Sequence, residues 1–347
     1  MENKADILSM TPEELSEFVC SVGEKAFRAK QLFSWMHKGA QFEEMSNLPA
    51  SFRKKLTECA EYRLPRIEEK YVSKIDGTVK YLFSMIDGEC VESVFMRYEH
   101  GNTLCVSSQA GCRMGCKFCA STLKGRSRDL HASEILGQVI AAQRDTGERI
   151  SGIVMMGIGE PLDNYDNTIR FLRLVSHPDG LNIGLRHISL STCGLADKIR
   201  TLAGEGLPVT LSVSLHTPDD ATRNELMPVN RKYNIDTLLS ACRDYFDRTG
   251  RRVSFEYTLI GGKNDSPAHA DALAARLKSG MHATCHVNLI PLNEVAETGL
   301  SSVNRKNAEI FRDRLAKHGI NATIRRKLGS DINASCGQLR LRRAKNN

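Results

Sequence analysis

Three cysteines crowd into the stretch GCRMGCKFCAS, at Cys112, Cys116 and Cys119. The spacing C-x3-C-x2-C offers neither the two thiols of a redox pair nor the four of a closed zinc site. Zinc completed by a distant histidine such as His131 is one reading, although structural zinc sites usually draw their thiols from two separated pairs. A [4Fe–4S] cluster is the sharper one. Cysteine thiolates normally bind all four irons of such a cluster, so three thiolates leave one iron open to a substrate or cofactor.

The elements that must position this loop can be read from periodicity. Six β-rich runs, TLCVSSQ (103–109), SGIVMM (151–156), HISLST (187–192), PVTLSVSL (208–215), RVSFEYTLI (252–260) and CHVNLI (285–290), are each followed by a polar or glycine-bearing loop and a helical pattern. Repeated strand–helix units predict an α/β fold with a parallel sheet covered by helices, as a partial barrel or a doubly wound sheet. In either, functional residues belong in loops after strand C-termini, and the cysteines lie in the first such loop. Ser133, Asn234 and the pair Ser266-Pro267 read as helix N-termini. Residues 1–60 read as helices with Phe27, Leu32, Phe33, Trp35 and Met36 as an apolar set. Residues 79–98 read as a hairpin around Asp87-Gly88. The expected division is an accessory region over 1–97, a core over 98–330 and a C-terminal segment over 331–347.

Composition narrows the class. A hydrophobic fraction of 41% with 26% charged residues suits a soluble globular chain of 347 residues. No apolar run approaches the length of a membrane span, and MENKADILSMTPEELSEF is unlike a targeting peptide, so a cytoplasmic location and no membrane partner are expected. Eleven cysteines without a secretory leader point to buried, metal-ligating or catalytic thiols rather than disulfides. The net charge of +7 is concentrated. Toward the C-terminus Arg325, Arg326, Lys327, Arg340, Arg342, Arg343 and Lys345 face Asp331 alone, and Arg113, Lys117, Lys124, Arg126 and Arg128 surround the cysteines. A polyanionic partner is favoured.

The cysteine motif, with Phe118 before its last thiol and a first parallel strand ahead of it, resembles the radical S-adenosylmethionine (SAM) superfamily. A second element expected there, a glycine-rich loop ending in Glu after the second strand, is present as MGIGEP with Gly157, Gly159 and Glu160. Across nearly the whole chain, GCRMGCKFCAST, MGIGEPLDN, RHISLSTCG, SVSLH, LMPVNR, GRRVSFEYTLIGGKND, HVNLIPLN and DINASCGQL are similar to the RlmN family. The related Cfr family, which methylates C8 of the same adenosine, shares the core. FRAKQLFSW and the DINASCGQL ending look more like RlmN.

This resemblance implies a partial (β/α)6 barrel of the radical SAM type with a small helical accessory domain and a β-hairpin extension. It implies methylation of C2 of adenosine 2503 in 23S rRNA and of adenosine 37 in certain tRNAs, with two SAM molecules consumed per turnover. Cys112, Cys116 and Cys119 would hold the [4Fe–4S] cluster. Gly159 and Glu160 would meet the methionine end of SAM, and Ser191, Ser214, Leu215, His216 and Asn293 the rest. Cys336 matches the family's methyl carrier, Cys105 the thiol that resolves a transient protein–RNA adduct, and Glu92 the proton acceptor. A flavodoxin- or ferredoxin-type electron donor and a monomeric enzyme are expected. Cys193 departs from the serine frequent in relatives and is assigned no role. Cfr-type C8 methylation and a non-catalytic, zinc-stabilised RNA-binding protein stand as alternatives.

Overall fold

Thr11 shows why the chain first turns into a long helix. Its hydroxyl accepts from the Glu14 backbone N–H, Glu14 accepts from that of Thr11, and Pro12 has no N–H to leave unpaired. The computed structural model describes residues 4–281, 285–339 and 342–343. Near its start, β1 (Ala5–Asp6) pairs in parallel with β2 (Ala60–Glu61) and brackets α1 (Pro12–Ser21), α2 (Phe27–His37) and α3 (Ala50–Cys59). Leu32, Phe33 and Met36 turn inward with Leu15, Val19, Phe52 and Leu56. Phe27 does not: it is 55% exposed, with Arg28 over its ring. Trp35 is only partly buried and donates to Asn47.

The chain then forms an antiparallel run, β3 (Arg66–Val72), β4 (Val79–Ser84) and β5 (Glu89–Tyr98). Gly88 has φ +84°, the left-handed conformation the tight turn requires, and Asp87 accepts from the Glu89 N–H. β5 pairs antiparallel with β6 (Gly101–Cys105), so the sheet runs unbroken through the boundary expected at residue 98.

Beyond β6 come a small ribbon of β7 (Gln109–Gly111) and β8 (Arg126–Asp129), then α4 (Ala132–Thr146), β9 (Ile150–Met155), α5 (Tyr165–Ser176), β10 (Ile188–Thr192) and α6 (Ala196–Ala203). They are followed by β11 (Thr210–Ser214), α7 (Asp220–Leu226), α8 (Ile235–Thr249), β12 (Val253–Leu259), α9 (Pro267–Gly280), β13 (His286–Pro291), α10 (Arg305–Lys317) and β14 (Asn321–Ile324). Strands β6 and β9 to β14 are parallel and lie side by side in chain order. A doubly wound sheet would reverse that order at a switch point, so the partial-barrel reading holds. All six expected strands are present; β14 was not expected. Asn234 and Ser266 cap α8 and α9.

One cap is corrected. His131, not Ser133, precedes α4, and its N–H donates to Glu134. The Ser133 hydroxyl donates instead to Asp6, while its N–H donates to Ser9, pinning the N-terminal helices to the core. After β14 the chain crosses back, and β15 (Arg342–Arg343) pairs antiparallel with β5. Of the basic tail, Arg340 and Lys345 lie outside the described residues, as do the side chains of Arg342 and Arg343.

Strand alternation decides what faces what. Leu190, Leu211, Val213, Phe255, Val287 and Leu289 point to the helix-covered side and are fully buried. The opposite face carries Ser191 in register with Ser212 and Ser254, and Ser214 in register with Glu256, Asn288 and Thr323; Ser189, paired with Thr210, lies on the same face. A polar inner face is therefore built into the parallel sheet.

The N-terminal module carries a pH-sensitive contact. His37 on α2 stacks on Phe33 at 4.1 Å, and its Nδ1 accepts from the Leu181 N–H while Nε2 has no partner among the described residues. Burial, with His177 nearby, pushes its pKa down to about 3. An unfolded histidine titrates near 6.5, so the contribution is fully present above about pH 6.5 and is lost as pH falls toward the folded value. The loss runs at about 1.4 kcal/mol per pH unit across that window. In urea titrations followed by Trp35 fluorescence, His37→Phe should lose less stability than wild type between pH 7 and pH 5. Equal losses would remove His37 as the cause.

Candidate active site at the strand C-termini

The cysteine loop hangs from the β7–β8 ribbon. Gly111, at φ +82°, cannot be replaced there, because a Cβ would come within 2.0 Å of the Gly125 carbonyl oxygen. The Cys112 N–H donates to that same carbonyl at 3.0 Å. Inside the loop the Cys119 N–H donates to Cys116 O, and the Thr122 hydroxyl reaches both the Cys116 and Cys119 carbonyls. All three cysteines line one cleft of about 920 Å³, counted with its open mouth. Burial pushes the Cys112 thiol up to about 12 and raises Cys116 and Cys119 as well. Thiols so placed stay protonated unless a metal centre offsets their charge.

The loop after β9 closes on the exit of β6. A Cβ on Gly159, at φ +108°, would meet the Gln109 backbone nitrogen at 2.8 Å, and one on Gly157 would meet Val106 O at 2.6 Å. Glu160 follows. Its N–H donates to Gln109 Oε1, while its carboxylate accepts from the N–H groups of Leu162 (3.1 Å) and Cys193 (2.6 Å). Burial raises its pKa, and among the described residues its partners are the N–H groups of Leu162 and Cys193 and the side chains of Thr192 and Cys193, with no cation bridged to it. A buried carboxylate of this kind lacks one counter-charge.

Around the same rim stand Ser191, Ser214, His216 and Asn293. His216 adopts φ +61°, and its Nδ1 accepts from the Thr258 N–H at 2.9 Å. Its proton therefore sits on Nε2; burial lowers its pKa to about 3 and keeps the ring neutral. Phe118 packs edge-on against it at 4.7 Å. The rim is tied together by Arg223, which is fully buried. Its guanidinium donates to the carbonyls of Cys193 and Ser214 (both 2.9 Å), Leu215 (3.2 Å) and Tyr233 (3.4 Å) and to Asn230 Oδ1 (2.7 Å).

Residues 106–274 match the radical SAM superfamily, and residues 5–62 match the ribosomal RNA large subunit methyltransferase N-terminal domain. A relative described as "Probable dual-specificity RNA methyltransferase RlmN" from Clostridium tetani is 51% identical, over 100% of this chain and 99% of its own length. A protein of the same description from Clostridium novyi is 50% identical, over 99% of each. The crystal structure of a radical SAM methyltransferase from Sphaerobacter thermophilus matches with a TM-score of 0.92 at 41% identity, covering 96% of this chain and 99% of that one. The chain belongs to the RlmN family.

As an RlmN-family protein it is a SAM-dependent methyltransferase that uses a [4Fe–4S] cluster. The site fits both groups. Three thiols on one cleft, Cys112 and Cys116 buried and Cys119 half-buried, suit an iron–sulfur cluster, whose thiolates bind different irons. Among the described residues no three His, Cys, Asp or Glu side chains gather closely enough for a single metal ion. His131, the imagined fourth zinc ligand, is exposed at the start of α4. Glu160, short of a cation, suits an amino group such as that of the cofactor's methionine end.

A C-terminal strap brings Cys336 to this cleft. Asp331 accepts from the Ser73 hydroxyl and the Lys74 N–H, and Lys80 Nζ donates to Asn333 O at 3.3 Å. Asn293 Nδ2 donates to Cys336 O at 3.0 Å, and the Ala120 N–H to Gly337 O at 2.8 Å. Of the residues singled out in the sequence, the three cysteines, Gly159, Glu160, Ser191, Ser214, His216, Asn293 and Cys336 meet on the cleft. Leu215, Cys105 and Glu92 do not line it. Leu215 is fully buried, and its N–H donates to Glu256 O. Cys105 lies in the sheet beside Cys336, and burial pushes its thiol up to about 12. Glu92 is buried on β5 with Lys80 Nζ at 3.5 Å, on the same sheet face as Cys105. Cys193 lines the cleft, and burial keeps its thiol protonated.

Three functional residues escaped the sequence reading. Glu256 lines the cleft, accepts from Asn288 at 2.7 Å and has its pKa raised by burial. Arg325, read as part of a basic tail, lines the same cleft and is held charged by Cys336 first, then by Glu256 and Cys105. Alternation in VSFEYTL, with Glu between inward Ser and Thr, was the available signal for Glu256. Arg223 gave none.

Each charge-assisted hydrogen bond of Arg223 contributes about 1.5–3 kcal/mol. Arg223→Gln should therefore lower unfolding stability by more than about 3 kcal/mol and weaken SAM binding at least about tenfold, while keeping the brown cluster after anaerobic reconstitution. Cys112→Ala, Cys116→Ala and Cys119→Ala should each lose that chromophore. Denaturation, SAM titration and visible absorption report the three effects. Wild-type SAM affinity in Arg223→Gln, or iron–sulfide retained in the cysteine variants, would contradict these roles.

Proposed function

We propose that the chain methylates C2 of adenosine in RNA, at adenosine 2503 of 23S rRNA and adenosine 37 of certain tRNAs, through a methyl group carried on Cys336. The observation that carries this reading is the strap that fixes Cys336 in the wall of the cofactor cleft, with Cys105 and Arg325 beside it. C2 of adenine is neither nucleophilic nor acidic, so a polar transfer straight from SAM to carbon has no path. Cys112, Cys116 and Cys119 would hold the cluster, and Gly159, Glu160, Ser191, Ser214, His216 and Asn293 would hold the cofactor, with Leu215 buried behind that rim. When bound, the cluster and SAM would supply the methyl group and the one-electron chemistry that removes hydrogen from it.

The chain's own residues perform the rest. Cys336 Sγ accepts the methyl group and, once that group has given up one hydrogen atom, presents the carbon to C2 of adenine, which becomes linked through it to the protein with release of one electron that the oxidised cluster would accept. Glu92, with Lys80 beside it, receives the C2 proton. Cys105 Sγ then attacks the sulfur of Cys336. A Cys105–Cys336 disulfide forms as the carbon–sulfur bond breaks, the electron pair of that bond stays with the carbon on the base, which takes up a proton to become the methyl group, and two electrons from a flavodoxin- or ferredoxin-type donor, with two protons, restore the thiols. The burial that raises the Cys105 thiol opposes this attack, and the Arg325 guanidinium counters it by favouring thiolate. The match of residues 5–62 to the methyltransferase N-terminal domain, and full-length relatives named RlmN, support the C2 reading over C8. No helix among the described residues is long and apolar enough to cross a membrane, which agrees with a cytoplasmic site of action on RNA.

The order of steps separates the two thiols. Cys105→Ala should still methylate Cys336 and couple to adenine, then stall as a stable protein–RNA conjugate on denaturing gels. Cys336→Ala should form no conjugate and no product. Normal turnover by Cys105→Ala, or a conjugate with Cys336→Ala, would overturn the assignment.

A further inference from the structure

A second cleft opens behind Cys336. It measures about 1840 Å³ with its mouth and shares Ile290, Leu292, Asn293, Arg325 and Cys336 with the cofactor cleft. Cys336 thus stands in a wall common to both. One side of the second cleft is formed by Met96 and Tyr98 of β5, the other by α10 and the chain after β14.

Tyr98 is the only aromatic side chain on this lining among the described residues. Its register, Tyr98 opposite Gly101 and Val94 opposite Cys105, puts it on the sheet face that carries Cys105 and Glu92. Its ring lies nearly parallel to that of His100, at 16° and 5.2 Å, and its hydroxyl reaches Met96 Sδ at 3.5 Å. Arg325, Cys336, Arg326 and Cys105 are the ionisable groups that act on its hydroxyl. Arg326 and Lys327 are exposed at the rim. Arg305 and Arg312 are already engaged by Glu309 and Asp313, whereas Arg326 and Lys327 have no carboxylate partner among the described residues.

We propose that this second cleft receives the target nucleotide after it leaves its RNA stack, with its purine lying on Tyr98 and flanking phosphates held by Arg326 and Lys327. The proposal rests on the reading of Cys336 as methyl carrier. A base whose ring carbon must reach buried thiols has to be unstacked, and an aromatic face beside those thiols restores the stacking it loses. Phe118 is not available for this, since it lines the cofactor cleft edge-on to His216. Two unpaired cations flanking an aromatic platform are what a single-stranded polyanion requires.

The test uses the cluster-loaded enzyme, SAM and a substrate RNA fragment, with two readouts. Mass spectrometry follows the methyl group that Cys336 acquires without RNA, and nucleoside analysis follows product. Tyr98→Ala should lower kcat/KM for RNA about tenfold or more and leave the RNA-free methylation within about twofold of wild type, with Tyr98→Phe near wild type in both. Tyr98→Leu, which keeps apolar bulk without a π-face, decides the matter if Tyr98→Ala impairs the RNA-free step. Arg326→Gln with Lys327→Gln should weaken RNA binding and flatten its salt dependence by about 1.4 in log–log slope. Wild-type kcat/KM in both Tyr98→Ala and Tyr98→Leu, or an unchanged salt slope, would overturn the proposal. A wild-type enzyme that leaves Cys336 unmethylated would instead remove the carrier reading, and this proposal with it.

Discussion

Burying hydroxyls, a carboxylate and guanidinium groups at the core of an α/β barrel costs free energy that only mutual hydrogen bonding can offset. Here the requirement is met through strand alternation. On β10, β11 and β12 the inward positions are polar (Ser189, Ser191, Ser212, Ser214, Ser254, Glu256 and Thr258), and Asn288 of β13 and Thr323 of β14 continue that face, while Leu190, Leu211, Val213, Phe255, Val287 and Leu289 lie under the helices. Glu256 finds Asn288, Ser189 finds Ser212, and Arg223 binds the carbonyls left open where β10 and β11 end. The active-site rim follows from this arrangement. Cys193, Ser214 and Leu215 face Arg223 with their carbonyls, which fixes the turns that carry Ser191 and His216 into the cleft.

The second organising feature is the strap after β14. Its anchors lie on the hairpin (Ser73, Lys74, Lys80), on the loop after β13 (Asn293) and on the cysteine loop (Ala120). A segment held at three separate places has little freedom, and Cys336 is itself the second attachment point, next to the third at Gly337. The hairpin is therefore more than an appendage to the barrel, since it continues the same sheet through β5 and β6 and fixes one end of the strap.

How much of this the sequence disclosed depended on how far apart the cooperating residues stand. Cys112, Cys116, Cys119 and the Gly157–Glu160 loop were legible because their chemistry is packed into short motifs. Strand positions were legible from period-two alternation, and the caps at Asn234 and Ser266 from residue type. Arg223 was hidden because its acceptors are backbone carbonyls about ten and thirty positions away, and carbonyls carry no sequence signal. Arg325 was misread because neighbouring Arg326 and Lys327 made it look like one more surface charge. Ser133 was misplaced as a cap because its partners, Asp6 and Ser9, belong to another part of the chain. β14 was missed because NATI is short and only half-buried.

The two clefts meeting at Cys336 give a physical reason for a carrier thiol. A cofactor bound against a cluster must be shielded from water and from adventitious hydrogen donors, so its cleft is lined by buried cysteines, Glu160 and neutral His216. An RNA nucleotide needs the opposite, a wide mouth with exposed cations. One pocket cannot be both. On the proposed course a side chain in the shared wall resolves the conflict, because Cys336 takes the methyl group on the enclosed side and delivers it on the open one. Arg325 lines both clefts at that point, and its charge works against the burial that raises the Cys105 thiol. The same proposed course would call on Cys105 and Glu92 only after the base has arrived, and they share one sheet face on β6 and β5 outside the cofactor cleft.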